Sequence, residues 1–573
     1  MDFTAVYNKW LTHPLVDDAT KEELRHLSAD DIKERFYKEL DFGTAGLRGV
    51  IGAGTNCMNI YTVRKATQGI CCDIINEGEE AVSRGVVIAY DSRHFSYEFA
   101  LESAKVLAAN GIKAYLFDEL RPTPELSFAV RHLKCARGIM ITASHNPKQY
   151  NGYKAYGEDG GQLPPESADY VVSIMSKMDT FADVKVMDKE EAEKSGLLVF
   201  IGSEVDKVYY ENVLKQSINS DVVREFGNDF KVIYSPFHGT GNKPVRAILD
   251  AIGCSNVRVV KEQELPDPEF STVKSPNPED KEGFAIAIEM ASKEPADLIF
   301  ATDPDGDRLG VIIMDSNGEY MTLSGNQIGV LLTEFILRNK KIKGILPENG
   351  AVIKTIVTTD MVKPICNEYG IKVYDVLTGF KFIGEKIKQF EEGVLDNEYV
   401  FGFEESYGYL AGTYCRDKDA VVAAMLVTEM AADYKKKGMT LYDALTSLYS
   451  KYGCYMENLK TFTFGGVDGI EKMNSIMEGF RTNPPQSICG MKIKKLWDVS
   501  KGTITNLEDS KVEKLDLPTS NVLKFEMDNN SWIAIRPSGT EPKIKFYFAV
   551  CESDITSATE KLENCIKEME KLM

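Results

Sequence analysis

Three stretches of the chain repeat one pattern, and that pattern restricts the fold more than any other feature. Each reads as an apolar strand, a loop of polar or glycine residues, an amphipathic helix and a second apolar strand. They are Gly85 to Asp118 (GVVIAYDSRHFSYEFALESAKVLAANGIKAYLFD), Phe230 to Val260 (FKVIYSPFHGTGNKPVRAILDAIGCSNVRVV) and Gly350 to Val376 (GAVIKTIVTTDMVKPICNEYGIKVYDV). β-Branched residues fill the strands, and each helix stops at or near a glycine. A strand that returns through a helix to a parallel neighbour needs a sheet covered by helices. Three such units predict three related α/β domains with mixed sheets.

The C-terminal stretch has a different pattern. Strands are expected at Val522 to Met527, Trp532 to Ile535 and Lys543 to Val550, then a charged helix from about Ser557 to Leu572. That predicts a smaller α+β domain. At 573 residues the chain is too long for one core. The expected division is 1–207, 208–326, 327–458 and 459–573.

The net charge is −20. An acidic surface repels phosphate backbones, so no nucleic-acid partner is expected. An anionic substrate must instead be captured by cations placed locally, against the overall field. No apolar run approaches the length that spans a bilayer, and Met1 to Trp10 lacks the regions of a secretory signal. No membrane association and a cytoplasmic location are therefore expected. The 11 cysteines form no C-x-x-C pair and the six histidines no H-E-x-x-H, so reduced thiols are expected rather than a disulfide framework or zinc site.

Four loop motifs carry chemistry. Thr142-Ala143-Ser144-His145-Asn146-Pro147 follows the apolar run Gly138 to Ile141. Its small residues leave the Ser144 hydroxyl accessible for nucleophilic attack or for carrying a phosphate. It is not a G-x-S-x-G elbow. Asp303-Pro304-Asp305-Gly306-Asp307-Arg308 follows the strand Leu298-Ile299-Phe300. Three carboxylates at spacing two in a tight turn suit one hard cation, and magnesium fits. An EF-hand would need glycine at 308 and glutamate at 314, where the chain has Arg308 and Met314. Gly402-Phe403-Glu404-Glu405-Ser406-Tyr407-Gly408 offers carboxylates and a hydroxyl to sugar hydroxyls. Arg536-Pro537-Ser538-Gly539-Thr540-Glu541-Pro542 offers a planar guanidinium, two hydroxyls and free backbone N–H groups to a phosphate.

Together and in this order, the four motifs resemble those of the α-D-phosphohexomutase family of phosphoglucomutases and phosphomannomutases, in its longer phosphoglucomutase branch. The likeness runs from Arg48 to Tyr547, with Asn151-Gly152-Tyr153-Lys154 following the serine motif. It implies four domains around a central cleft, each supplying one loop. It also implies that Ser144 carries the transferred phosphate and that Asp303, Asp305 and Asp307, with a phosphoserine oxygen, hold one Mg²⁺. Glu404 and Ser406 would bind sugar, while Arg536, Ser538, Gly539 and Thr540 would hold phosphate. Arg48, Arg93, His145, Lys154, Arg308 and Lys381 would surround the phosphoserine and substrate.

The resemblance further implies an intramolecular phosphotransferase that interconverts glucose 1-phosphate and glucose 6-phosphate through glucose 1,6-bisphosphate, which is both intermediate and activator. Arg48 belongs to the catalytic group. Lys154 or His145 is the expected base, and Lys154 would need a depressed pKa for that task. Glu405 stands where dual-specificity relatives usually carry methionine, which favours glucose. Mannose and pentose phosphates are the alternatives. The assembly is expected to be a monomer or dimer.

Overall fold

The computed structural model describes residues 2–43, 46–464, 469–538 and 543–571. Four sheets follow one another along the chain. The first runs in the order Gly46–Val50, Tyr150–Tyr156, Arg137–Ile141, Val86–Tyr90, Ala114–Phe117, Leu198–Ile201. Its last four strands are parallel, and the first two add on antiparallel. The second sheet runs Tyr320–Thr322, Leu309–Met314, Leu298–Thr302, Lys231–Ser235, Asn256–Val259, and the third Lys372–Val376, Gly350–Thr355, Glu398–Phe403, Tyr409–Leu410. Both again combine a parallel core with an antiparallel edge. The central strands Val86–Tyr90, Arg137–Ile141, Leu298–Thr302 and Gly350–Thr355 are buried at every position. Helices cover both faces, which is why these strands read as unbroken apolar runs.

All three repeated helices stop in the same way. Gly111, Gly253 and Gly370 take left-handed φ values of 75°, 86° and 72°. The next residue in each case donates its N–H five residues back: Ile112 to Leu107, Cys254 to Leu249 and Ile371 to Cys366. This stop satisfies the helix's last carbonyls and turns the chain into the second strand.

One continuous apolar core links the first three sheets, and the helix Ala420–Lys436, buried over most of its length, lies within it. It packs on the helices Ser220–Phe226, Asn242–Ala251 and Gly325–Ile342. The fourth sheet pairs antiparallel throughout and builds a core of its own with the helix Ile555–Glu570. It meets the third domain along a seam of Ile356, Val357 and Leu377 against Val522, Trp532 and Tyr547.

The boundary expected near Asn458 falls inside the strand Cys454–Thr463. That strand pairs with Lys543–Glu552 from its first residue, so we place the boundary at Gly453 instead. Three loops leave the C-terminal ends of central strands: 142–147 after Arg137–Ile141, 303–308 after Leu298–Thr302, and 404–408 after Glu398–Phe403. Ligands of open α/β sheets bind at such ends.

Candidate active site

The serine loop is held from behind. Ser144 is 4% exposed and adopts φ 53°, a left-handed conformation uncommon for residues other than glycine. Its N–H donates to Thr142 Oγ1 at 2.8 Å. Its hydroxyl donates to Asp303 Oδ2 at 3.0 Å and lies 3.1 Å from His145 Nδ1. Loops that are 159 residues apart in the chain thus meet at the Ser144 oxygen.

The acidic turn is fully buried at all three carboxylates. Gly306, at φ 66°, lets it fold tightly; a Cβ there would come within 2.8 Å of Pro122 Cβ. Asp303 Oδ1 accepts the N–H groups of Asp307 (3.0 Å) and Arg308 (2.9 Å). Asp305 Oδ2 accepts from Lys154 Nζ at 2.7 Å and from Thr123 Oγ1 at 2.9 Å. Asp307 Oδ2 lies 3.1 Å from Lys418 Nζ and 3.5 Å from Lys154 Nζ. Burial, then Asp305 and Asp307, push the Asp303 carboxyl well above its ordinary range. On Asp305 burial acts most strongly, but Lys154, the hydrogen bond shared with Asp303 and Lys418 together outweigh it and hold that carboxyl low.

Among the described residues this is the one group of three acidic, histidine or cysteine side chains with ligand atoms close enough to share an ion, all within 4.8 Å of one another. The Oδ1 atoms of Asp305 and Asp307 are buried and accept no hydrogen bond. Such orphaned oxygens are costly unless a cation meets them. The all-oxygen donor set fits a hard divalent ion such as Mg²⁺.

The third loop docks onto the second. Arg308 and Gly408 form an isolated antiparallel bridge, and Leu309 N donates to Tyr407 O at 3.1 Å. Arg308 also pairs with Glu279 at 2.9 Å. Glu404 is 5% exposed and accepts the Gly379 N–H at 3.0 Å. Burial lifts its carboxyl to about 7, Lys418 opposing and Glu405 adding to the shift. Glu405 accepts from Thr355 and Thr358 (3.2 and 3.1 Å), and half-buried Ser406 follows it. Lys381 opens the helix Phe380–Glu391 beside Gly379, where desolvation lowers its pKa.

From the fourth domain, Arg536 ends the strand Trp532–Pro537, opposite Lys545. Desolvation, then Arg536, pull the Lys545 ammonium down, while Glu405 and Glu279 hold it up, so this hairpin lies within electrostatic reach of the third loop and of Glu279, the partner of Arg308. Ser538 N donates to Lys543 O at 2.7 Å, closing the base of the loop. Gly539 and Thr540 lie outside the described residues.

Two expectations need correction. Arg93 was expected to bind substrate, but its side chain is fully buried. Its guanidinium serves the carbonyls of Ser144, Asn146, Pro147 and Tyr150. Lys154 was expected to have a depressed pKa. Burial does pull it down, but Asp305 and Asp307 outweigh burial and hold the ammonium above its ordinary range. His145 goes the other way: burial, then Arg308 and Arg48, push it down to about 2. Arg48 reaches from the strand Gly46–Val50 toward Asn146 Oδ1 at 3.5 Å.

Sequence reasoning missed Lys418. It lies in Arg416-Asp417-Lys418-Asp419, just before the buried helix Ala420–Lys436. Each residue of that run crosses to another domain or braces one that does. Arg416 N donates to Ser127 Oγ (2.9 Å), Tyr156 OH to Asp417 (2.8 Å) and Tyr209 OH to Asp419 (3.0 Å). Four charges of alternating sign directly before the apolar run Ala420 to Val427 were the available signal, since such charges are buried only when paired.

The seryl hydroxyl meets the acidic turn, the carboxylate loop docks on that turn, and Arg536 comes from the fourth domain. Four domain models match in chain order: phosphoglucomutase/phosphomannomutase α/β/α domain I at residues 39–181, domain II at 207–317, domain III at 324–452 and the C-terminal domain at 491–563. The chain belongs to the phosphoglucomutase/phosphomannomutase family and is a mutase, an enzyme of the isomerase class. It is similar to a Staphylococcus epidermidis protein named phosphoglucomutase, 37% identical over 98% of this chain and 99% of that one. A Staphylococcus saprophyticus protein of the same name is 38% identical over 92% and 93%. The fold is shared with the open form of Paramecium parafusin, a phosphoglucomutase, at a TM-score of 0.67 and 19% identity over 93% and 95% of the two chains. Among the described residues no helix is long and apolar enough to cross a membrane.

Proposed function

We propose that the chain interconverts glucose 1-phosphate and glucose 6-phosphate, with Ser144 carrying the phosphoryl group between the two hydroxyls. The observation that carries this reading is the 3.0 Å contact between Ser144 Oγ and Asp303 in a cleft ringed by Lys154, Lys418 and Arg308. The name shared by the relatives, similar over nearly their whole length, supports glucose as the sugar.

Asp303, Asp305 and Asp307 would hold Mg²⁺, whose charge offsets that of a phosphoryl group and makes phosphorus more electrophilic. In the forward direction the substrate's O6 attacks phosphorus in line. The O6–P bond forms, the Ser144 Oγ–P bond breaks, and the O6 proton passes to a base. Lys154 and Lys418 offset phosphate charge from beside the acidic turn; an ion held by Asp305 and Asp307 would draw those carboxylates' charge away from the lysines and lower their proton affinity. His145 is neutral 3.1 Å from Ser144 Oγ, but, pushed down to about 2, it is too weak a base to act alone, so Lys154 and His145 stay the two candidates for taking the O6 proton.

The resulting glucose 1,6-bisphosphate reorients so that Ser144 Oγ attacks its C1 phosphate: the Oγ–P bond forms, the O1–P bond breaks, the Ser144 proton passes by way of the base to O1, and glucose 6-phosphate leaves. Arg536 and Ser538 hold whichever phosphate is remote, and Glu404 receives sugar hydroxyls in both orientations.

The test is Ser144→Ala. Turnover of glucose 1-phosphate should fall by at least about 10⁴-fold, and intact mass should lose the single phosphoryl group found on the wild type. Near-normal turnover would reject the covalent role. Faster wild-type turnover of mannose 1-phosphate or ribose 1-phosphate would reject glucose.

A further inference from the structure

The left-handed conformation of Ser144 is imposed from outside its own side chain. Thr142 Oγ1 accepts the Ser144 N–H at 2.8 Å. The Thr142 hydroxyl cannot rotate freely, because it donates to Asp91 Oδ2 at 2.6 Å. With its hydrogen so committed, a lone pair must face Ser144.

Asp91 is equally fixed. It is 2% exposed and follows the strand Val86–Tyr90, and its own N–H donates to Ile141 O at 3.1 Å across the parallel sheet. Its Oδ1 accepts from Arg93 N (3.0 Å) and Ser96 Oγ (2.8 Å). Arg93 Nε lies 3.3 Å from Asp91 Oδ2, and the same guanidinium grips the Asn146 carbonyl at 2.5 Å, Pro147 at 3.0 Å and Tyr150 at 3.1 Å. The serine loop is therefore hung from one buried carboxylate by two routes: a hydroxyl relay to the Ser144 N–H and a guanidinium clasp on the surrounding carbonyls.

We infer that Asp91 and Thr142 are positioning residues for phosphoryl transfer. The carboxylate orients the Thr142 hydroxyl, the hydroxyl holds the Ser144 N–H, and Ser144 Oγ is thereby aimed at the acidic turn. This rests on the reading of Ser144 as the phosphate carrier. Asp91 is 2% and Thr142 1% exposed and both side chains are engaged by protein groups, so substrate binding is not their task. Their contribution is the aim of the reacting oxygen, and a displacement of about 1 Å at a reacting atom can cost roughly 100-fold in rate.

The experiment uses the full chain with Thr142→Val, Thr142→Ser, Asp91→Asn and the Thr142→Val/Asp91→Asn double variant. It measures uptake of phosphate on Ser144 from glucose 1,6-bisphosphate by intact mass, kcat and KM for glucose 1-phosphate, and the folded fraction by circular dichroism. Thr142→Val should slow phosphate uptake and lower kcat by roughly 100-fold per folded molecule while KM stays within about threefold. Thr142→Ser, which restores the hydroxyl, should recover most of that loss. The double variant should lose less than the sum of the two single losses, because both remove the hydroxyl relay and Asp91→Asn adds only its hold on Arg93.

The inference is overturned if Thr142→Val turns over within about threefold of wild type, if serine rescues nothing, if the two losses add, or if lost folded protein accounts for the whole effect. A wild type that never takes phosphate on Ser144 would instead defeat the reading of Ser144 itself. Equal uptake by wild type and Thr142→Val would defeat only the relay.

Discussion

Two buried charge clusters lie on either side of the third domain, and they dispose of their charge in opposite ways. In the first cluster Lys154 and Lys418 reach Asp305 and Asp307, Arg308 stands 3.9 Å from Asp307, and Asp303 is met by N–H and O–H donors. The second cluster lies beneath the fourth domain. Lys354, Lys363 and Lys524 converge on Asp360 and Asp375, with Lys354 Nζ 2.8 Å from Asp360 and 2.5 Å from Asp375. Each cluster has two buried carboxylate oxygens without hydrogen bonds, but Asp360 Oδ1 and Asp375 Oδ1 lie against Lys354, whereas the lysines at Asp305 and Asp307 lie nearest the Oδ2 atoms and leave Oδ1 to a cation. The basic cluster is pressed into the apolar seam between domains, and there the surplus falls on Lys524. Burial, opposed by Asp360 and reinforced by Lys354 and Lys363, pushes that ammonium down to about 8. Its Nζ lies 4.4 Å from the Trp532 ring centroid and 5.4 Å from that of Trp497, and donates to Ile356 O at 2.9 Å. One cluster is built to take in a ligand charge, the other to shed a proton.

The sharpest way to break that contrast is to take one carboxylate from the first cluster. Asp305→Asn should lower turnover on the order of 10³-fold and raise the Mg²⁺ concentration needed for half-maximal activity, with the melting temperature nearly unchanged. An unaltered Mg²⁺ response would remove the acidic turn from the mechanism. Were a substitution at Lys524 to shift the Mg²⁺ response as strongly, the two clusters would be one coupled system.

The second cluster should answer in stability. Lys524 titrates near 10.4 when unfolded and near 8 in the fold. Between those values the unfolded chain binds more protons, so stability rises with pH across the window. The penalty is present in full below the folded pKa and gone above the unfolded one. A shift of this size corresponds to on the order of 3 kcal/mol. Lys524→Met should therefore lose stability relative to wild type as pH climbs from about 8 to about 10.4. Two of the three tryptophans flank the site, so urea unfolding followed by tryptophan emission reads it directly. A pH-independent difference between the two proteins would refute the assignment.

The contrast also marks what sequence could reveal. The three βαβ units were readable because strand, helix and glycine stop are written in adjacent residues, and the four loops because proline, glycine and repeated carboxylates announce a turn. The acidic cluster was legible for the same reason: its members stand two residues apart. The basic cluster was not, because Lys354, Asp375 and Lys524 come from strands of two different sheets. Lys418 was hidden for that reason too, since Asp307 lies 111 positions before it in the chain. Arg93 was visible but misassigned, because a lone arginine in a loop does not reveal whether it faces a phosphate or four carbonyls. Lys154 was placed correctly beside the turn, but its protonation depends on which carboxylates end up within 3.5 Å.

Glu404 tests how far the charge balance of the first cluster extends. Its carboxyl is raised to about 7, by burial first, with Lys418 opposing and Glu405 reinforcing. Near neutrality the loop thus holds a mixture of acid and carboxylate. Only the ionised form offers acceptors alone, which is what several sugar hydroxyls donating together require. The ionised fraction rises from roughly one tenth at one unit below the pKa to roughly nine tenths at one unit above it. The KM for glucose 1-phosphate should therefore fall by up to about tenfold from pH ~6 to ~8. The substrate phosphate also titrates in this range, so the wild-type profile alone does not isolate Glu404. Glu404→Gln does: it keeps the shape and one acceptor but cannot ionise. Its KM should be higher at pH ~8 and should retain only the part of the pH dependence that belongs to the phosphate. If the two profiles run parallel, Glu404 is ionised throughout, and Lys418 with its neighbours outweighs burial in the third loop as Lys154 with its neighbours does at Asp305.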